Sequence, residues 1–144
     1  MAETFSGQCL CGNVSYTFEG PVHEVDACHC TMCQRWVGGP FIGLTPAGDV
    51  TLADEKTVTW YSSSEWAQRG FCAKCGSSLF YRLKEQPGFW AITLGTVNQT
   101  VEGQLGKEIF INEKPGNYAL AGDHPRLTGE EFFASLQSSS DGQE

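Results

Sequence analysis

The sequence predicts a mostly β fold, and three observations carry that prediction. Apolar residues recur with a period of two, Gly and Pro punctuate the chain at short intervals, and helical periodicity is scarce. Val14, Tyr16 and Phe18 alternate with Ser15, Thr17 and Glu19, as in a half-buried strand. Leu79, Tyr81 and Leu83 form a second alternation, and Val58 to Tyr61, Phe89 to Leu94 and Leu105 to Ile111 are further strand candidates. Gly20-Pro21, Gly39-Pro40, Pro87-Gly88 and Pro115-Gly116 mark turns between them. A short helical turn is expected after Cys33, through Gln34, Arg35 and Trp36. A C-terminal helix is signalled by Thr128 and Glu131, spaced as a capping box, with Phe132, Phe133 and Leu136 as its apolar face. The 144-residue length suits one domain, expected over 1–136, and the Ser-, Gly- and acid-rich stretch 137–144 is expected to be a disordered tail.

The formal net charge of −8 argues against binding to a phosphate backbone as the main task. Arg35, Arg69 and Lys74 nonetheless recur near cysteines, where they read either as solvated surface charges or as a pocket for a small anion. No apolar run is long enough to span a bilayer. The N-terminal residues lack the basic start and apolar core of a secretory signal, so the expected compartment is the cytoplasm. Trp36 reads as core or pocket wall, and Gly38 and Gly39 as a turn.

Seven cysteines cannot all pair within one chain, and a reducing compartment would keep ordinary thiols reduced. Their spacing favours metal ligation. Cys9-Leu10-Cys11-Gly12 and Cys72-Ala73-Lys74-Cys75-Gly76 each end in glycine, which can take a positive φ and let the turn aim an N–H at sulfur. Cys9, Cys11, Cys72 and Cys75 together are the usual complement of a structural zinc, which would clip distant hairpins together. Buried thiols or an iron–sulfur cluster are the competing readings.

Cys28, Cys30 and Cys33 fall within six residues. An extended segment puts Cys28 and Cys30 on one face and His29 on the other. Gln34, rather than glycine, follows Cys33, so the chain can enter a helix there and favour a thiolate at Cys33. Three thiols leave a tetrahedral zinc with a vacant position, as at a catalytic site, unless His29, His23 or His124 fills it. Three thiolates make zinc a weak Lewis acid, suited to holding an incoming thiol as thiolate. That composition points to sulfur–carbon chemistry rather than hydrolysis.

The order G-x-C-x-C-G-x-V-x-Y (Gly7 to Tyr16), C-H-C-x-x-C (Cys28 to Cys33) and F-C-x-x-C-G-S-x-L (Phe71 to Leu79) resembles the glutathione-dependent formaldehyde-activating enzyme family, which includes the centromere protein V type domains. The resemblance spans about residues 5 to 120 and accounts for every cysteine. It implies an all-β, Mss4-like fold of twisted sheets around zinc-binding turns. It further implies two zinc ions per chain: a structural one on Cys9, Cys11, Cys72 and Cys75, and a catalytic one on Cys28, Cys30 and Cys33. The implied reaction is reversible addition of glutathione to formaldehyde, giving S-hydroxymethylglutathione, which is carbon–sulfur lyase chemistry in reverse. A non-catalytic zinc module for glutathione or a protein thiol is the alternative, and the acidic charge disfavours a nucleic-acid adaptor. Lys114-Pro115-Gly116-Asn117-Tyr118 departs from the aromatic-rich A-P-W-Y-like stretch of the family, with the Trp replaced.

Overall fold

A computed structural model of the chain describes residues 3–142. Eleven strands and two α-helices are present among them. They fall into two compact units, each made of two chain segments. The first comprises the residues up to Glu24 with Gly43–Gly103, and the second comprises Val25–Ile42 with the chain from Gln104 onward.

In the first unit, β1 (Thr4–Gln8), β2 (Ser15–Glu19) and β5 (Val50–Leu52) form an antiparallel sheet in the order β1-β2-β5. Val14, Tyr16 and Phe18 are buried and Thr17 and Glu19 exposed, as the period of two requires. The Phe5 and Phe18 rings stack at 5.0 Å across β1 and β2. Gly7 admits the Tyr16 hydroxyl, which bonds Thr96 Oγ1 at 2.8 Å; a Cβ at Gly7 would stand 2.1 Å from that oxygen.

A second antiparallel ladder runs β6 (Val58–Ser62), β7 (Ala67–Cys72), β8 (Ser78–Leu83), β9 (Trp90–Thr93) and the part of β4 (Phe41–Pro46) from Gly43 onward. The expected alternation of Leu79, Tyr81 and Leu83 is only partly kept. Leu79 and Phe80 are both fully buried, while Tyr81 and Leu83 are half-buried. The β7–β8 register shifts between Gly70 and Phe71, opposite Leu79, which interrupts the alternation there; Phe80 itself meets Tyr16 at 5.1 Å and Trp90 at 5.1 Å, with the Trp60 ring alongside. The Arg82 guanidinium stacks 3.5 Å above the Trp60 ring, its stem covering apolar surface and its charge facing aromatic π density.

In the second unit, β3 (Val22–Cys28) from Val25 onward, β10 (Lys107–Ile109) and β11 (Arg126–Leu127) run parallel in the order β3-β10-β11. Helix α1 (Thr31–Val37) follows β3. It starts two residues before Cys33 rather than after it, because the Cys30 thiol caps it by accepting the Cys33 N–H at 3.4 Å. Gly38 ends α1 in the left-handed conformation. The Trp36 ring packs 5.5 Å from that of Phe41.

Helix α2 (Gly129–Gly142) carries the expected capping box: Thr128 N–H donates to Glu131 Oε1 at 2.8 Å and Glu131 N–H to Thr128 Oγ1 at 3.1 Å. Phe132 and Phe133 pack on Phe110 at 6.2 and 5.7 Å. The apolar stripe is nonetheless largely uncovered, with Phe133 57% and Leu136 49% exposed. The helix continues over residues 137–142, through most of the segment expected as a disordered tail, because extension past a capped first turn costs little. Residues 143–144 of that segment lie outside the described residues.

Candidate metal centres

Each unit contains one cysteine cluster. In the first, the Sγ atoms of Cys9, Cys11, Cys72 and Cys75 all lie within 4.8 Å of one another. Cys9–Cys11 and Cys11–Cys72 are both 3.7 Å apart. That separation matches the edge of a tetrahedron of sulfurs about 2.3 Å from a central zinc, which is about 3.8 Å. A disulfide, at about 2 Å, is excluded.

Two knuckles build this cluster. Gly12 and Gly76 follow the second cysteine of each motif with φ of 81° and 78°, the left-handed region that glycine enters without strain. Their N–H groups donate to the Cys9 and Cys72 carbonyls, at 3.1 and 2.9 Å, rather than to sulfur. Other amides serve the thiols: Val14 N–H reaches Cys9 Sγ at 3.3 Å, and Lys74 and Cys75 N–H reach Cys72 Sγ at 3.4 Å. Ser77 ties the knuckles together, its Oγ accepting Leu10 N–H at 3.0 Å and lying 3.2 Å from Cys75 Sγ. The Ser77 hydroxyl and amide hold the Cys75 thiol down at about 5. At Cys11 the Asn13 amide acts downward, but burial and hydrogen bonds with Cys9, Cys75 and Cys72 outweigh it and push the thiol up to about 11. Four clustered thiols cannot all ionise without a cation among them, so the donor set fits a divalent, thiophilic metal.

In the second unit, the Sγ atoms of Cys28, Cys30 and Cys33 lie within 4.8 Å of one another. Cys33 is buried in the first turn of α1; Cys28 and Cys30 are half-buried. The Cys28 thiol is pushed strongly upward by its hydrogen bonds to Cys30 and Cys33, then by burial and by the charge at Cys33. The same argument applies: three thiolates here need a cation. Among the described residues no fourth His, Cys, Asp or Glu joins the three.

His29 points away from the thiols, as the extended segment requires, into a buried polar cluster. Its ring is 0% exposed and its Nε2 lies 2.7 Å from Glu108 Oε1. Its Nδ1 faces the Tyr118 hydroxyl at 3.5 Å. Glu108, 1% exposed, also accepts from His124 Nε2 at 2.6 Å and Arg126 Nε at 2.9 Å, both at Oε2. His124 is thereby committed to Glu108 and is not a fourth ligand; the His23 side chain lies outside the described residues. Burial acts upward on the Glu108 carboxyl, but hydrogen bonds from His124 and His29 and the charges of His29 and Arg126 outweigh it and hold the group below the usual carboxylate range.

A second carboxylate braces the same loop. Glu113 Oε1 accepts both N–H and hydroxyl of Thr31 at 2.8 Å, and Gln34 Nε2 donates to the carbonyls of His29 and Glu113 at 2.7 and 2.9 Å. Lys114 Nζ donates to the carbonyls of Pro115 and Tyr118 and sits 4.7 Å over the Tyr118 ring, which orders the Lys114–Tyr118 stretch. Of the basic residues singled out from sequence, Arg35 and Lys74 are exposed, and Arg69 is buried in β7 beside the Tyr81 ring. Sequence reasoning missed Glu108, Glu113, Gln34 and Arg126. The available signal was an acid, Glu108, directly before the apolar run Ile109 to Ile111 within a strand candidate.

A mostly β fold carrying one four-thiol and one three-thiol cluster defines a cysteine-rich protein whose two clusters can each hold a metal ion. The profile of the family described as glutathione-dependent formaldehyde-activating enzyme matches residues 4–113, and the chain belongs to that family. An uncharacterised lyase of Schizosaccharomyces pombe is 28% identical over 137 residues, covering 92% of this chain and 96% of the relative. The crystal structure of a Rhodobacter sphaeroides protein superposes with a TM-score of 0.57 at 20% identity, covering 84% of this chain and 98% of its own; this likeness bears on the fold alone.

Proposed function

We propose that the protein is a zinc-dependent carbon–sulfur lyase acting on a thiol–aldehyde adduct, with S-hydroxymethylglutathione, formed from glutathione and formaldehyde, as the leading substrate. A single observation carries this reading: three thiols converge in the second unit with no fourth ligand among the described residues. Family membership and the lyase-named relative support the reaction class. In this reading Cys9, Cys11, Cys72 and Cys75 hold a structural zinc, and Cys28, Cys30 and Cys33 hold the catalytic one within a single domain over 1–136.

When bound at Cys28, Cys30 and Cys33, zinc would supply a site for the thiol sulfur as thiolate. The Cys33 N–H donates to Cys30 Sγ and favours the ionised form of that ligand. In the lyase direction, R–S–CH2–OH loses its hydroxyl proton, the carbon–sulfur bond breaks, and formaldehyde and the thiol leave. His29 is fully buried with Nε2 committed to Glu108, which takes that nitrogen out of reach of the developing alkoxide. In this reading a backbone N–H of the thiol loop is the donor for the developing alkoxide. No described helix is long and apolar enough to cross a membrane. A site built of reduced thiols suits the cytoplasm.

The adduct forms unaided, so catalysis is tested at equilibrium. Magnetisation-exchange NMR of glutathione with labelled formaldehyde should show faster interconversion of hydrate and adduct when zinc-loaded protein is added. Exchange no faster than without protein, with glutathione bound, would favour a thiol-binding module instead.

A further inference from the structure

Glu108 belongs to neither cysteine cluster, yet it is the buried carboxylate on which the second unit converges. Moving an ionised carboxylate out of water is costly unless donors replace the lost hydration. Three do so, and they are divided by oxygen. Oε2 takes His124 and Arg126, at 2.6 and 2.9 Å, while Oε1 takes His29 alone at 2.7 Å. His29 is the residue between Cys28 and Cys30. Its main-chain N–H is held as well, by the Ile109 carbonyl at 3.0 Å, and Ile109 pairs with Cys28 across the parallel β3-β10 ladder. Two consecutive residues of β10 therefore grip one residue of the thiol loop, one through its backbone and one through its ring.

Side chains alternate along an extended segment, so fixing the His29 ring on one face fixes where Cys28 and Cys30 project on the other. We infer that Glu108 is a positioning residue for the three-thiol centre: acting through His29, it sets the rotation of the Cys28–Cys30 segment and hence the convergence of both thiols on Cys33. His124 and Arg126 hold the far oxygen and stop the carboxylate from turning away. This inference rests on the reading of Cys28, Cys30 and Cys33 as metal ligands.

A carboxylate that merely stabilised the unit would leave metal affinity at a folded site unchanged. One that positions thiols alters it at that site alone, by about tenfold or more. The test is chelator competition on the full-length, zinc-loaded chain, with the four-thiol centre as internal control. Glu108→Gln should weaken the three-thiol centre by about tenfold or more and leave the other unchanged. With cobalt in place of zinc, the thiolate charge-transfer and ligand-field bands of the three-thiol centre should shift as well. Because Glu108 acts through His29, His29→Gln should give a similar loss, and the double variant should lose little more than either alone.

Wild-type affinity and cobalt spectrum in Glu108→Gln, or fully additive losses in the double variant, would overturn the inference while leaving the ligand reading intact. A wild-type chain that binds one metal at the four thiols and none at Cys28, Cys30 and Cys33 would overturn both. Should Glu108→Gln fail to fold, His124→Gln removes one donor to the far oxygen. It should weaken the same centre by a smaller factor, and an unchanged affinity there would count against the inference.

Discussion

The two cysteine clusters use the same ligand chemistry in opposite ways. The four-thiol cluster joins knuckles 61 residues apart in sequence, and its immediate bracing is local: amides of the knuckles themselves and one serine. The three-thiol cluster spans six residues of sequence, and its bracing is remote, drawn from Glu108 and Glu113, about 80 residues downstream. A metal held by the first cluster would close a long loop and keep no coordination position in reserve. The second, with three thiols and no fourth ligand among the described residues, would leave a position vacant on a bound metal, so its geometry must be held by something other than a fourth ligand. A closed centre supports its fold; an open one has to be supported by it.

That contrast is open to attack by substitution, beginning with the largest effect. Cys75→Ser removes one of four ligands bridging distant segments. A structural zinc contributes on the order of 10 kcal/mol, comparable to the whole stability of a domain, so the variant should be largely unfolded by circular dichroism at 25 °C. Cys30→Ser should keep a cooperative thermal melt but lose the second metal and the acceleration of adduct exchange. If Cys30→Ser proves the less stable of the two, the roles of the clusters are reversed.

Thiol binding sharpens the comparison at the open centre. A thiol entering as a fourth thiolate must lose a proton, so glutathione affinity should tighten as pH rises towards the free thiol pKa of about 8.5. Calorimetry in two buffers of different ionisation enthalpy should count about one proton released. S-methylglutathione, which cannot supply a thiolate, should bind much more weakly; equal affinity with no proton release would mean that sulfur is not coordinated.

The bracing of the open centre should show in acid. Glu108 has a folded pKa below its unfolded value of about 4.3, so its contribution is fully present above that value and is lost as pH falls through the folded pKa. NMR titration of the Glu108 side-chain carboxyl in the zinc-loaded protein should therefore show it still ionised at about pH 4.3, its chemical shift moving only at lower pH. A midpoint at or above the free value would contradict the shift. The smallest effect belongs to the knuckles: Gly76→Ala meets no atom within 4 Å but must hold φ near 78°, costing about 1–2 kcal/mol in a denaturant melt of the zinc-loaded protein. No measurable cost would mean that the turn relaxes.

Where the sequence could be read follows from how local each signal is. The knuckles were legible because ligand, spacer and glycine occupy five or fewer residues, and the capping box at Thr128 because it spans four. β2 was legible because one of its faces is buried and the other solvated. β8 was misjudged because Leu79 and Phe80 are both buried where the ladder register shifts, which erases alternation. The start of α1 was placed late because a cysteine, Cys30, takes the capping position usually held by Ser or Asp. Glu108 was invisible as part of the site because the partners that make its burial tolerable come from two distant stretches, His29 in one and His124 with Arg126 in the other, and no spacing rule links them to it.

The downstream origin of Glu108, Glu113, His124 and Arg126 also sets a schedule. During synthesis all four thiols of the first cluster exist once residue 75 has been made, and a metal held there, as proposed, could then close the long-range clip. The reactive thiols, finished at residue 33, have no brace until the chain reaches 108, and Glu108 has no full set of donors until 126. At about 5–20 residues per second the loop spends several seconds as a strip of neighbouring thiols without its final geometry. In the proposed reading the four-thiol centre could thus take up zinc first, and the three-thiol centre would acquire its shape only near the end of translation.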